Sequence, residues 1–283
     1  MILKKDLLNV TIGNTVLRSS PYMNPQFVLD DNALTGYYDG VNIKRTEAVR
    51  PNQWGDFAEP GLLGPRTLSL TGTAIADSPQ QLHAMRDEFI STLSHGGYEE
   101  IGIQNTYGTR FLNVALSGSP SWVQKIDTAA LWKLELYAPD PRMYGYEQSI
   151  QITDGSVSGG MNFPVGYPVD FGGPIVSMAM SIYNAGNAKS WPVFKVTGNY
   201  FSGFKITDGL NSSIIFDGVV SMESPVYIDT GKGTATQNGV DKSSMLSKRD
   251  WFGIPPKSSI APRFFPIQDA AGWCDIMYRD TWI

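Results

Sequence analysis

Apolar and polar residues alternate along much of the first half of the chain. Leu8, Val10 and Ile12 alternate with Asn9 and Thr11. Leu68, Leu70, Gly72 and Ala74 alternate with Thr67, Ser69, Thr71 and Thr73, and Leu112, Val114 and Leu116 form a third set. Trp132, Leu134 and Leu136 alternate with Lys133 and Glu135. A period of two puts each apolar set on one face of a sheet, so these segments are expected as half-buried strands. Asn105-Thr106-Tyr107-Gly108, between two such segments, is expected as a hairpin turn. One segment follows a different period. Ser78 can cap a helix, Pro79 suits its first position, and Gln81 stands where a capping box needs it. Leu82, Met85, Phe89, Ile90 and Leu93 continue at helical spacing, and Gly96-Gly97 offers a left-handed stop. A helix over about residues 79–94 is predicted, its apolar stripe packed on the sheet.

Two interruptions organise the chain. Residues 45–66 carry Pro51, Pro60 and Pro65 together with Trp54 and Phe57, a long excursion between strands. Long loops in compact domains usually serve function or meet a partner. The other reading, that Trp54 and Phe57 fold back to seal the core, stays open. Ala138-Pro139-Asp140-Pro141-Arg142 then stops a strand abruptly, and a domain boundary is expected near Tyr146, giving domains 1–145 and 146–283. In the second, Val176, Met178, Met180 and Ile182 alternate with Ser177, Ala179 and Ser181. Phe194 and Val196 flank Lys195, and short apolar runs follow between Asp-Gly turns. Many short strands without a convincing helix suggest a β-sandwich.

Composition narrows the function classes. The 22 basic and 27 acidic residues leave a net charge of −5, which argues against a non-specific nucleic-acid binder. Aromatic residues at 12% with 29 glycines and 18 prolines fit β-rich structure rather than disorder. One cysteine, Cys274, excludes an intrachain disulfide framework, and two histidines, His83 and His95, cannot make a three-histidine metal site. No run of about 18 apolar residues suggests a membrane helix. The first ten residues lack the apolar core of a secretory signal, so synthesis in a cytoplasm and no membrane insertion are expected.

Catalytic patterns are sparse. Asp229-Thr230-Gly231 matches the aspartic protease triplet, but such chemistry needs two carboxylates sharing a proton, and no second triplet exists. The same triplet is an ordinary turn leaving a strand. Phosphate loops, zincin histidines and the nucleophile elbow are absent. Glu99-Glu100 and Asp30-Asp31 are acidic pairs, but neighbours on a strand point to opposite faces. No catalytic residue, cofactor or metal ligand is assigned. Trp191, Tyr200, Phe201 and Trp251 lie near glycines and polar residues, where an exposed ring could stack on a sugar; filling a sandwich core is the other role open to them.

An ordered series of segments resembles one known family. Leu68-Ser69-Leu70-Thr71-Gly72, Asp77-Ser78, Met85-Arg86-Asp87, and Leu134 to Tyr137 followed by Ala138-Pro139-Asp140-Pro141-Arg142 resemble the first domain of siphophage distal tail (Dit) proteins. Gly160-Met161-Asn162-Phe163-Pro164, Asn184-Ala185-Gly186-Asn187-Ala188 through Gly198, Ile228-Asp229-Thr230-Gly231, Ser243-Ser244-Met245-Leu246 and Tyr278-Arg279-Asp280-Thr281-Trp282 are similar to the second. The likeness runs from about residue 37 to the last residues, in order.

The resemblance implies a mainly β chain with one main helix: an N-terminal α+β ring-forming domain, then a galectin-like or carbohydrate-binding-like β-sandwich. It implies a non-enzymatic virion protein at the distal end of a long non-contractile phage tail, made in the host bacterial cytoplasm. A homohexameric ring would join the tail tube protein and the tape measure protein to tail-tip, tail-associated lysin or receptor-binding proteins, and phage DNA would pass through without specific binding. Six copies would carry a charge of about −30, and an acidic lumen would repel phosphate. The excursion with Trp54 and Phe57 would be an inter-subunit arm, and Trp191, Tyr200 and Trp251 candidate glycan or partner contacts. Direct recognition of host wall glycan by a carbohydrate-binding module is the alternative, and a wall-degrading hydrolase a third.

Overall fold

A computed structural model describes residues 8–13, 15–19, 26–58, 60–92, 94, 96–153, 180–268 and 272–283. The chain forms two compact units, Met1–Tyr146 with Ile283, and Glu147–Trp282. Both are built from strands, and the α-helix among the described residues lies in the first.

The first unit runs β1 (Asn9–Ile12), β2 (Thr15–Arg18), β3 (Gln26–Thr35), β4 (Ile43–Lys44), β5 (Glu47–Val49), β6 (Asp56–Ala58), β7 (Leu62–Leu63) and β8 (Arg66–Ile75). Helix α1 (Pro79–Ser91), β9 (Glu99–Asn105), β10 (Gly108–Leu116), β11 (Ser121–Ile126), β12 (Ala129–Ala138) and the start of β13 (Met143–Thr153) follow. The sheet order is β11-β12-β8-β3-β2-β1-β9-β10, and β10 pairs back onto β12 through Ala115↔Tyr137 and Leu116↔Leu136. The sheet therefore closes on itself, with β11 and β10 sharing one edge of β12. Only the β2–β3 pair among these is parallel. Strict alternation on β8 and β12 sends Leu68, Leu70, Leu134 and Leu136 to the enclosed face, where they are buried with Val10, Ile12, Ile101, Ile103, Leu112 and Val114. Gly72 is required there: a Cβ would lie 2.1 Å from the Val28 carbonyl oxygen and 2.4 Å from the Trp132 ring. The Asn105–Gly108 hairpin forms as predicted, with the Tyr107 amide donating to Asn105 Oδ1.

The start of α1 also follows the prediction. The Gln81 amide donates to Ser78 Oγ, and Gln81 Oε1 accepts from the Asp77 amide. The end differs. The helix stops at Ser91, where the Ser91 and Thr92 hydroxyls both donate to the Glu88 carbonyl. Gly96 is left-handed at φ 69° but lies beyond the helix in the following turn. Leu82, Met85 and Phe89 are buried, while Ile90 faces outward; Leu93 lies outside the described residues. Phe89 packs 5.8 Å from Phe27, 5.7 Å from Trp122 and 5.4 Å from Trp132, an aromatic cluster holding the helix on the sheet.

The foot of the long excursion is tied by one buried cation. Arg66 donates from Nη1 to the carbonyls of Gly36, Tyr37 and Asp39 at 2.7, 3.1 and 2.9 Å, and from Nε to the Pro141 carbonyl at 3.2 Å. Its acceptors are backbone dipoles, and burial lowers its pKa against the pull of Tyr37 and Asp39. Beside Pro141, Asp140 takes two 2.8 Å bonds from Arg142 and a 2.6 Å bond from the Tyr144 hydroxyl. Burial alone would raise the Asp140 pKa; the bonds from Arg142 and Tyr144 and the Arg142 charge outweigh it and hold the carboxyl below its usual range.

The second unit holds the rest of β13, then β14 (Ile182–Asn184), β15 (Val193–Gly198), β16 (Phe204–Thr207), β17 (Ser213–Phe216), β18 (Val226–Asp229), β19 (Thr234–Gln237) and β20 (Val240–Asp241). β21 (Leu246–Arg249), β22 (Ser258–Ile260), β23 (Arg263–Pro266) and β24 (Gly272–Trp282) complete it. One sheet has the order β13-β24-β15-β18-β19-β20, a second β21-β17-β16-β23, and β14 pairs with β22. Phe194, Val196, Val226, Ile228 and Ile276 of the first sheet share one core with Phe204, Ile206, Ile214, Phe216 and Phe264 of the second, so the unit is a sandwich. Buried Asn184 stitches the segment after β14 to the last strand. Its Nδ2 donates to the carbonyls of Ala188, Ile254 and Pro255, and its Oδ1 accepts from the amides of Gly186 and Thr281. The Ile182 part of the Val176–Ile182 strand prediction falls in β14; Val176 and Met178, like Gly160–Pro164, lie outside the described residues.

Two stability outcomes are expected. Arg66→Leu strands four carbonyls and lowers unfolding free energy by about 3 kcal/mol in denaturant titration. Because the Asp140 pKa is lower folded than unfolded, its contribution is complete above the unfolded carboxylate pKa and is lost as pH falls through the folded value. Asp140→Asn therefore flattens the acid limb of a pH–stability profile.

Candidate functional site

Residues 40–65 form a two-tier β-ribbon rather than the irregular loop that three prolines suggest. β4 pairs with β7 through Ile43↔Leu63 and Lys44↔Leu62, and β5 pairs with β6 through Glu47↔Ala58 to Val49↔Asp56. The Gly64 amide donates to the Asn42 carbonyl at 2.7 Å and zips the base. At the tip, Asn52 and Gly55 turn the chain with φ of 60° and 81°. Gly61 lets the strands close: a Cβ there would come within 2.3 Å of Ile43 Cγ2.

The ribbon carries apolar side chains into solvent. Trp54 is 99% exposed, Val49 81% and Leu62 73%, and Ile43, Phe57 and Leu63 are also exposed. Trp54 and Phe57 do not fold back on the core, so the sealing role is ruled out within one chain. The Arg50 guanidinium lies 4.8 Å over the Phe57 ring, and its Nε is buried without a hydrogen-bond partner among the described residues. An unsatisfied buried donor costs about 1–3 kcal/mol. A two-stranded hairpin is marginal in water by itself, and an apolar surface of this kind marks an interaction site.

The other predicted contacts separate. Tyr200 is 1% exposed, bridged to Val220 and stacked edge-on to Phe264, so it is core and cannot face a glycan. Its neighbour Phe201 is the exposed ring. Trp191 is half-buried under the Lys189 ammonium at 4.1 Å and against Gly253. Trp251 is half-buried, packed on the core and against Gly233.

The protease-like triplet is a turn between β18 and β19. Asp229 Oδ1 accepts from the amides of Gly231 and Lys232 at 3.0 and 2.9 Å, and Oδ2 meets Lys232 Nζ at 3.3 Å. The Thr230 hydroxyl donates to the Pro192 carbonyl at 2.7 Å. The carboxylate is thus used in closing its own turn. Among the described residues no three His, Cys, Asp or Glu side chains gather as a metal set, and no helix is long and apolar enough to cross a membrane. Burial pushes the Cys274 thiol pKa well up, which leaves it inert in the core.

Comparison with known proteins adds the following. Residues 185–282 match the family model for the siphovirus-type tail component, C-terminal domain. No curated protein matches the sequence. The crystal structure of the Dit protein of phage SPP1, described as a paradigm of the hub adsorption apparatus in phages infecting Gram-positive hosts, is 12% identical. The match covers 98% of this chain and 99% of that one, with a TM-score of 0.64. A chain of the phage P2 baseplate in its activated conformation with Ca is 9% identical over 96% of this chain and 97% of that one, with a TM-score of 0.53. The strontium form of that baseplate gives 9% identity, the same coverage and a TM-score of 0.51. At such identities these likenesses establish a shared fold.

Asp229→Ala is expected to cost about 1 kcal/mol of stability through its lost turn bonds, read by thermal unfolding, with no change in self-association.

Proposed function

We propose that this chain, whose residues 185–282 match the siphovirus-type tail component family model, is a structural part of a phage tail and acts as the distal-tail hub of a long, non-contractile-tailed bacteriophage. Six copies close head-to-tail into a ring between the tail tube and the host-recognition tip. A heterologous contact whose rotation closes generates such a ring without further parts. The first unit builds the ring. The second, read as a galectin-like sandwich, offers docking surface to tape measure, tail-tip lysin or receptor-binding proteins. The protein works by geometry and transforms no substrate.

The observation that carries this reading is the ribbon of residues 40–65. It is rooted by Arg66, yet it holds Trp54, Val49 and Leu62 in water and leaves Arg50 Nε without an acceptor among the described residues. From residue 40 to the turn at residue 52, extended chain spans up to about 40 Å at ~3.3 Å per residue. A unit of this length has a radius of gyration of roughly 15 Å. The arm is long enough to lie across a neighbouring copy. There the apolar side chains are covered and the strands gain a third layer. Trp54 and Phe57 are the assigned inter-subunit contacts.

Light scattering coupled to size exclusion tests the reading. At micromolar concentration the parent chain should elute at six times its monomer mass. Trp54→Ser combined with Phe57→Ser should shift it to monomer while the far-ultraviolet circular dichroism and the unfolding midpoint stay unchanged. A ring that survives the double variant, or a parent that stays monomeric at every concentration and in assembled tails, contradicts it.

A further inference from the structure

Gly102 stands in the middle of β9, and no described residue requires a glycine there. Its φ is not left-handed, so the backbone conformation suits any residue. A Cβ would meet only side chains, the Phe111 ring at 3.2 Å and Thr109 Cγ2 at 4.0 Å. Gly72 differs, because a backbone carbonyl stands in the way of its Cβ. A glycine inside a strand weakens it, and often marks a place where a ligand or another backbone comes close.

The space over Gly102 is a depression in the outer face of the first unit's sheet. Ile101 and Ile103 point into the core, so Glu100, Gly102 and Gln104 point away from it. The register sets Thr11 of β1 and Phe111 of β10 on either side of Gly102. Tyr146 stands edge-on to Phe111 with ring centroids 5.1 Å apart and is 65% exposed. The depression these residues line measures about 370 Å³. A void of about 150 Å³ accepts a benzene ring, so this one has room for an indole. Glu100 lines it, and Glu99 Oε1 lies beside Gly13 at one end, while none of the described lining residues is basic.

We propose that this depression receives Trp54 from the arm of the next copy, with Arg50 of that arm meeting Glu100. The inference rests on the ring reading above and names the surface that takes the arm. A head-to-tail ring joins two different patches of one chain. The arm is the first patch and the face over Gly102 the second. The two are complementary. Phe111 and Tyr146 offer rings for the Trp54 indole to pack on, and Thr11, Thr109 and Gln104 offer oxygens for its N–H. Arg50 brings a cation to a rim whose charges are carboxylates. Another cleft of the same unit, about 460 Å³ and lined by Asp30, Asp31 and Asn32, offers one ring, Tyr38, where this face offers two. The glycine that lines it, Gly36, is explained by its own backbone, at φ 82°.

Introduced cysteines in the full chain test the contact, because the native Cys274 is buried. Gln53→Cys with Thr109→Cys should cross-link under mild oxidation into a ladder of up to six copies on a non-reducing gel. Gln53→Cys with Asn32→Cys, in the other cleft, should not. Gly102→Val suits a strand better than glycine, so the unfolding midpoint should hold while assembly weakens by roughly tenfold in concentration-dependent light scattering. Glu100→Arg should also weaken assembly, and adding Arg50→Glu should restore it. Rings in the parent without cross-links from the Thr109 pair, cross-links from the Asn32 pair instead, or a folded Gly102→Val chain that assembles as the parent does would each overturn this contact and leave the hub reading standing. A parent that forms no ring at all removes the hub reading and the contact together.

Discussion

A guanidinium whose four hydrogen bonds all go to backbone carbonyls holds the base of the arm in place. Arg66 gathers the entry of the excursion at Gly36, Tyr37 and Asp39, and the carbonyl of Pro141 from the far end of the first unit. Gly36 makes the approach possible: it sits at φ 82°, and a Cβ there would lie 2.0 Å from the Thr67 carbonyl oxygen. The exit of the arm is β8 itself, the strand that also anchors β3 and β12. The bonds fix the foot of the ribbon, while its apolar tip is exposed.

The rest of the account follows from that display. Folding within one chain normally places Trp, Val and Leu inside. Here the first unit has a closed sheet, filled by aliphatic side chains and covered by the Phe27–Phe89–Trp122–Trp132 cluster, and Trp54 and Phe57 lie outside that core, exposed. Covering them takes another molecule. In the proposed ring, a repeated head-to-tail contact between copies would supply it and use no catalytic group. The triplet that resembles a protease motif fits the same picture, since its carboxylate is spent on its own turn and its hydroxyl on the Pro192 carbonyl.

What could be read from residues alone was what depends on near neighbours. Ser78, Pro79 and Gln81 mark the helix start because capping acts within four residues, and the period-two runs locate β8, β10 and β12. The helix end was misread because hydroxyls at Ser91 and Thr92 close it before Gly96 is reached. The long excursion was visible through its prolines and aromatics. Its ribbon was not, because strands of two or three residues leave no period to detect, and Arg66 was not, because its acceptors are distant backbone groups. The polar neighbours of Tyr200 leave a sugar contact and a core role both open, and its bridge to Val220 decides for the core.

Electron microscopy of the purified protein tests the central claim most directly, with class averages calculated without imposed symmetry. The account predicts closed sixfold rings in which the density of residues 40–65 from each copy lies on the next. Twofold dimers, open filaments, or rings whose arms point free into solvent would contradict it.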